Sequence, residues 1–244
     1  MSKTSFRPDT AMILAAGIGK RMRPITATTP KPLIEVNGQA LIDHGMDRLV
    51  AAGVKTCVVN VHYLADLVEV HVKRRKDLEI RISDERAALL ETGGGIKKAL
   101  PLLGDKPFFQ LNADTSYWIE GVKPNLEHMI DAWDDERMDI LLLVSETVTA
   151  VGYSGRGDFD MAKDGSLTRR PERGVTPFAY AGAALIHPRL FKDAPDGAFS
   201  MNVLFDKAIE NGRLFGVQME GIWLHIGTPE AIRAAEYAVR ESAA

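Results

Sequence analysis

Apolar positions along this chain follow two periods. Met12–Ala16, Val54–Val61, Pro107–Asn112 and Ile140–Val144 are short runs in which most positions are apolar. Such runs predict strands buried on both faces, as in a parallel sheet covered by helices. Leu78–Ser83 reads as a further strand, and Leu33–Val36 as a short extended piece turned by Asn37-Gly38. Between the strands, helical spacing predicts helices over Ala40–Ala52 (Leu41, Met46, Leu49, Val50), Tyr63–Lys73, Glu91–Leu103 and Asn125–Asp135. Gly53 supplies an ordinary helix stop. Four strands alternating with three helices imply right-handed parallel crossovers. Ligands of such sheets bind at the carboxyl ends of the strands.

The second half changes character. Asp158–Met161 and Ser166–Arg170 predict a hairpin around Lys163-Asp164-Gly165. Phe178–His187 reads as a strand and Phe199–Asn211 as a helix stopped by Gly212. Leu214–Met219 and Ile222–Ile226 read as a final strand pair. Pro229–Arg240 is a terminal helix with Thr228 as N-cap. The expected fold is α/β with a mixed, mainly parallel sheet. The chain is read as one domain, 1–244, with a first half of about 10–147 and a second half of about 148–244.

Composition narrows the partners. The 244 residues are 45% hydrophobic and carry a net charge of −3, so no nucleic-acid-binding stripe is expected. No apolar run has the length of a membrane span, and Met1–Thr10 has no signal-peptide core. A cytoplasmic protein with no membrane partner is the simplest expectation. The single Cys57 lies in strand sequence and reads as a buried thiol. The run Lys73-Arg74-Arg75-Lys76 reads as a solvated helix end whose cations face the negative helix pole.

The candidate chemistry starts where the first strand breaks. Met12–Pro32 reads MILAAGIGKRMRPITATTPKP. An apolar strand running into Gly17 and Gly19 brings bare backbone N–H groups to the sheet edge, where a phosphate can approach them. Arg21, Arg23 and Lys31 follow. Pro30 and Pro32 are expected to hold Lys31 extended and aim its ammonium. The loop is not the dinucleotide fingerprint, because Met22 replaces the third glycine; nor is it a P-loop, because no G-K-S/T follows. A second glycine turn, Glu91-Thr92-Gly93-Gly94-Gly95, opens a predicted helix and offers a surface for a base or ribose. Asp114, just past the fourth strand, is a candidate metal ligand. All three features are expected to share one cleft.

The string L-A-A-G-x-G-x-R-M-x-P-x-T…P-K-P resembles the signature of the sugar-1-phosphate nucleotidylyltransferases. LETGGGI (90–96), ALPLLGD (99–105), GRGDF (155–159) and W-x-x-x-G-T (223–228) extend the resemblance over nearly the whole chain. Within the family it is most similar to the N-acetylmuramate-1-phosphate uridylyltransferases of peptidoglycan recycling, with mannose-1-phosphate guanylyltransferases as the alternative. The resemblance implies a Rossmann-like, three-layer α/β/α, glycosyltransferase-A-like fold. It implies attack of a sugar 1-phosphate on the α-phosphorus of a nucleoside triphosphate. Both reactants are polyanions, so position and charge neutralisation are the main levers, and no general base is needed. Arg21 is assigned to the leaving β and γ phosphates, and Lys31 to the α-phosphate and the incoming phosphate. By resemblance, Leu14, Ala15, Ala16 and Gly17 line the base and ribose, beside Gly19. Thr92 and Gly93 hold the nucleoside, and Asn112 and Asp114 form an N-x-D motif with Asp114 on Mg²⁺. Gly155, Arg156, Gly157 and Asp158 sit by the sugar, and Arg170 holds the sugar phosphate. Without the C-terminal repeat extension of some relatives, a monomer or homodimer is expected.

The chain departs from the family at one place. Relatives carry W-x-D-x-G-T, whereas this chain reads Trp223-Leu224-His225-Ile226-Gly227-Thr228. Mg²⁺ prefers oxygen, while imidazole suits Mn²⁺, Co²⁺ or Zn²⁺ better. Three consequences stay open. Asp114 and the phosphates hold Mg²⁺ unaided; the enzyme prefers Mn²⁺ or Co²⁺ with His225 as a ligand; or the chain is a non-catalytic nucleotide-sugar sensor. A dehydrogenase is disfavoured by Met22 and by the Arg21/Lys31 pair.

Overall fold

The computed structural model describes residues 6–115 and 117–242, so the reading of Met1–Thr10 falls partly outside the described residues. In the first half, strands β1 (Thr10–Leu14), β2 (Glu35–Val36), β3 (Gln39–Ala40), β4 (Thr56–Val61), β5 (Glu79–Asp84), β6 (Phe108–Asn112) and β7 (Trp118–Glu120) alternate with helices α1 (Leu41–Ala51), α2 (Ala65–Val72) and α3 (Glu91–Leu103). The second half runs α4 (Asn125–Ala132), β8 (Ile140–Glu146), β9 (Phe159–Met161), β10 (Leu167–Arg169), β11 (Phe178–Ile186), α5 (Asn202–Glu210), β12 (Leu214–Gln218), β13 (Gly221–Trp223) and α6 (Pro229–Ser242).

One nine-stranded sheet runs through both halves. β6, β1, β4 and β5 lie side by side and parallel. β11 joins β6 and β8 in antiparallel register, and the β9–β10 hairpin extends from the Phe178 end of β11. The sheet is therefore mixed and mainly parallel on the side that carries the glycine loop.

Strand side chains alternate between two cores. Ala11, Ile13, Cys57 and Val59 face α1, α2 and α4 through Met46, Leu49, Val68, Val72 and Met129. Met12, Val58 and Phe108 face α3 and α5 through Ile96, Ala99, Leu103, Leu204 and Phe205. This is the three-layer arrangement that strands apolar on both faces require. A third cluster lies under α6, where Met22, Ile34, Val36, Leu224, Ile226 and Ala235 pack together. Met22 is fully buried in it, so the residue that breaks the dinucleotide fingerprint is the apolar anchor of the loop. Cys57 is buried, and burial pushes its thiol up to about 12. Arg75, from the basic run after α2, pairs with Asp47 and Asp77 at 2.7 and 2.6 Å. Among the described residues, no helix is long and apolar enough to cross a membrane.

Two local expectations are corrected. Leu214–Met219 and Ile222–Ile226 do not pair with each other. β12 pairs in parallel with β8, while β13 pairs with the short β7. The buried Asn125 causes the divergence. Its side chain donates to Glu120 Oε2 at 2.7 Å and to the Glu220 carbonyl at 2.8 Å, and it accepts from Glu220 N at 2.9 Å. Gly221 then turns the chain at φ +95°, a value glycine adopts freely. The second correction concerns Lys31, which is not extended. Lys31–Leu33 forms one 3-10 turn, with Leu33 N bonded to the Pro30 carbonyl at 2.8 Å. Proline φ fits such a turn, and Pro32 lies where a helix start leaves an N–H unused.

Candidate active site

β1 ends two residues before the predicted Ala16, and the reason lies in the neighbouring strand. Asn60, at the end of β4, is only 2% exposed. Its Oδ1 accepts the Ala15 N–H at 2.7 Å and so takes the chain out of the ladder. Asn60 Nδ2 in turn donates to Glu85 Oε1 at 2.8 Å, and Glu85 Oε2 accepts from Leu90 N at 3.2 Å. One buried carboxylate thus ties together the ends of β1 and β4 and the segment entering α3.

Beyond β1 the loop turns at Gly19, whose φ is +66°. A Cβ at Gly19 would lie 3.0 Å from Thr26 Cγ2 and 3.2 Å from Lys31 Cβ, so only glycine lets Lys31 pack this close. Thr26 Oγ1 donates to the Gly19 carbonyl at 2.9 Å, and Tyr63 Oη donates to the Thr26 carbonyl at 2.8 Å. A Cβ at Gly17 would meet nothing within 4 Å, so its bare backbone faces open space.

These segments enclose a cavity of about 560 Å³. Its wall includes Leu14, Ala15, Ala16, Gly17 and Gly19 from the first loop, and Thr92, Asn112 and Asp114 from the two others. Lys20, Arg21 and Lys31 contribute cations, and Glu91 and Asp114 contribute carboxylates. Lys31 is only 6% exposed, and its Nζ donates to Asp114 Oδ2 at 2.7 Å. A buried ammonium needs such a partner, because desolvation otherwise outweighs its charge. Arg21 is exposed and has no ion partner among the described residues.

Several residues singled out in the sequence lie elsewhere. Gly93 does not line the cavity. Its N–H donates to the Phe199 carbonyl at 2.8 Å, and a Cβ on it would lie 2.3 Å from the Phe199 ring. The three glycines serve helix packing, since a Cβ at Gly94 would lie 2.2 Å from the Gly197 carbonyl. Thr92 Oγ1 accepts from Met201 N at 2.8 Å. Arg170 is also turned away from the cavity. Its Nε donates to the Gly157 carbonyl at 3.0 Å, and Nη1 donates to the carbonyls of Pro171, Glu172 and Gly174. Arg170 therefore clasps two loops, because no carboxylate competes for it. Gly157 is at φ +76°, pressed on the Thr176 carbonyl, and Asp158 Oδ2 accepts from Tyr180 N at 2.9 Å. Gly155 abuts Tyr153, and Arg156 is exposed.

His225 is not on the cavity wall, although the charges of Lys31, Asp114, Arg21 and Asp158 reach it. Burial lowers its pKa, and Lys31 lowers it further, so the ring is neutral near pH 7. Trp223 and Tyr153 meet the imidazole edge-on, with ring centroids 5.0 and 5.7 Å away. Its Nδ1 is buried without a hydrogen-bond partner among the described residues. Among those residues, no three His, Cys, Asp or Glu side chains are grouped to hold a metal.

Sequence reasoning missed Asn60, Leu89, Thr115 and Ser200 on this wall, and named Glu91 only as the first residue of the second glycine turn. Asn60 left a signal, as the one amide in a mainly apolar strand.

The Nucleotidyl transferase family model matches residues 10–166. The chain is 48% identical over 242 residues to the N-acetylmuramate alpha-1-phosphate uridylyltransferase of Caulobacter vibrioides, covering 98% of this chain and 100% of that protein. It is 33% identical to the enzyme of the same name from Neisseria meningitidis serogroup B, covering 93% and 96%. In fold it is similar to the crystal structure of HddC from Yersinia pseudotuberculosis, with a TM-score of 0.74 at 22% identity, covering 94% and 99%. With family model, full-length relatives and fold in agreement, the chain belongs to the nucleotidyl transferases and is a sugar-1-phosphate nucleotidylyltransferase.

Proposed function

We propose that the chain transfers UMP from UTP to N-acetylmuramate 1-phosphate, giving the UDP-sugar and pyrophosphate. The observation that carries the substrate assignment is the 48% identity along the full length of a uridylyltransferase for that sugar phosphate. A phosphate oxygen of the sugar attacks the α-phosphorus, and the bond to the pyrophosphate oxygen breaks. The attacking oxygen is ionised at neutral pH, so the protein supplies position and positive charge.

Lys31 and Arg21 are the groups that supply this charge. Lys31 exchanges Asp114 for the α-phosphate and the incoming phosphate when substrates enter. Arg21, exposed and without an ion partner among the described residues, takes the β and γ phosphates. Ala15, Ala16, Asn60 and Thr92 form the nucleoside side of the wall. Arg156 and Asp158 lie on the loop proposed to face the sugar. The donor set fits a divalent cation held by the Asp114 carboxylate together with phosphate oxygens, a habit of Mg²⁺. When bound, Mg²⁺ would neutralise triphosphate charge and favour departure of pyrophosphate. His225, off the cavity wall, is assigned no metal bond, which makes a Mn²⁺ or Co²⁺ preference unnecessary. Action in the cytoplasm within peptidoglycan recycling, by a monomer or homodimer, completes the proposal.

Pyrophosphate release tests it. UTP, GTP, CTP and dTTP are crossed with the 1-phosphates of N-acetylmuramate, N-acetylglucosamine, glucose and mannose, in Mg²⁺ and in Mn²⁺. Release is expected with UTP and N-acetylmuramate 1-phosphate. Release confined to GTP and mannose 1-phosphate would replace the substrates. Silence with nucleotide still bound would make the chain a sensor.

A further inference from the structure

Among the described residues, three that are not glycine have positive φ: Asn37 at 54°, Leu64 at 48° and Glu91 at 58°. Asn37 sits in an Asn-Gly turn, where this conformation is well tolerated. Of the three, only Glu91 lines the cavity. The backbone on both sides of it is pinned. Leu90 N donates to Glu85 Oε2 at 3.2 Å, and the Leu90 carbonyl accepts from Phe199 N at 3.2 Å. Thr92 Oγ1 accepts from Met201 N at 2.8 Å, and Gly93 N donates to the Phe199 carbonyl at 2.8 Å. The left-handed turn at residue 91 is therefore imposed by its surroundings, the condition under which strain at a functional site persists.

Glycine would adopt this turn without strain. A glutamate there costs stability, and its carboxylate recovers nothing inside the chain. It is exposed and makes no hydrogen bond or ion pair among the described residues. The other carboxylate on the wall, Asp114, is held by Lys31. A free carboxylate would repel a triphosphate, so it suits a hydrogen-bond donor of the ligand and not a phosphate oxygen. Leu89 and Thr92, close to it in sequence, line the same cavity, whereas the cations on the wall come from the glycine loop and Lys31.

We propose that Glu91 is a specificity-determining residue whose carboxylate accepts a hydrogen bond from an N–H or O–H group of the bound nucleoside. This deepens the reading of the cavity as the nucleotide site and rests on it. A base N–H and a ribose hydroxyl share this donor chemistry, and the arms of the test separate them.

The parent protein, Glu91→Gln and Glu91→Gly are compared for binding of UTP, dUTP and CTP by calorimetry, for the KM of each substrate, and for Tm. Both variants are expected to raise the UTP KM, by about tenfold for Glu91→Gly, while the sugar phosphate KM stays within about twofold. Glu91→Gly is expected to melt no lower than the parent, because glycine relieves the turn. Loss of the preference for UTP over dUTP would assign the donor to the ribose; loss of the preference for UTP over CTP would assign it to the base. An unchanged UTP KM in Glu91→Gly would overturn the inference. So would a lowered Tm with both KM values rising together, which is the pattern of a purely structural side chain. Failure of the parent to bind any nucleotide would instead overturn the functional reading itself, and this inference with it.

Discussion

At the scale of single residues, the two cations proposed for the phosphates differ in what their loss would expose. Lys31 is buried on Asp114, so Lys31→Ala removes the proposed phosphate ligand and also leaves a carboxylate unpaired in the cavity. Arg21 is exposed and free of ion partners among the described residues. Arg21→Ala should therefore lower kcat by about a hundredfold, the scale of one lost charge-stabilising group, with Tm unchanged. A parallel loss of Tm would mean that Arg21 supports the fold. His225 raises a different question. The charges of Lys31 and Arg21 favour a carboxylate at this position and those of Asp114 and Asp158 oppose it, so a divalent cation bound nearby would decide the balance. His225→Asp should tighten the Mg²⁺ dependence, read as a lower half-saturating Mg²⁺ concentration at fixed UTP. An unchanged metal titration would place residue 225 outside the metal's influence.

At the scale of elements, the triple glycine shows why a motif and its role separate. Gly93, Gly94 and Gly95 were expected to offer bare backbone to a nucleoside. Instead, α3 uses them to pack against the chain at 197–199 and against Glu85. The N–H groups of Gly93 and Gly94 both go to the Phe199 carbonyl, so they have no donor left for a ligand. The predicted helix from Phe199 begins at Asn202 for the same reason, since residues 199 and 201 bond to α3 and its entry. Gly94→Ala should cost about 1–3 kcal/mol, the usual range for overpacking, because backbone rather than a flexible side chain must move. Chemical denaturation checks the figure. A Cm equal to the parent's would show that the 197–199 segment yields freely.

At the scale of the whole molecule, α6 closes the third cluster over the glycine loop and the Leu224–Ile226 segment. The loop is thereby braced from the far end of the chain, while the carboxyl ends of β1, β4 and β6 bring it to one cavity with Asn60 and Asp114. The described residues offer no cluster of carboxylates for a free metal ion. Mg²⁺ alone should therefore leave Tm unchanged. UTP with Mg²⁺ at about a hundred times Kd should add about 2.7 kcal/mol, a rise of roughly 5–10 °C for a chain of this size. A shift with Mg²⁺ alone, measured by scanning fluorimetry, would reveal a metal site formed without nucleotide.

The chain's sequence by itself determined the alternation of strands and helices, the glycine loop with Arg21 and Lys31, and Asp114 beyond the fourth strand. These are local matters: apolar period, residues without a Cβ, and charges close in sequence to a strand end. Only the tertiary structure decided where each group went. The pairing of β12 with β8 and of β13 with β7 depends on Asn125, almost a hundred residues from Glu220. Arg170 was given to the carbonyls of Gly157, Pro171, Glu172 and Gly174, and His225 was enclosed by its near neighbour Trp223 and the distant Tyr153, because packing and not residue type selects these partners. The sequence placed Glu91 at the head of the second glycine turn without marking its carboxylate. Its turn is fixed by partners at 85, 199 and 201, and a one-dimensional pattern records neither a positive φ nor which carboxylate is left without a partner.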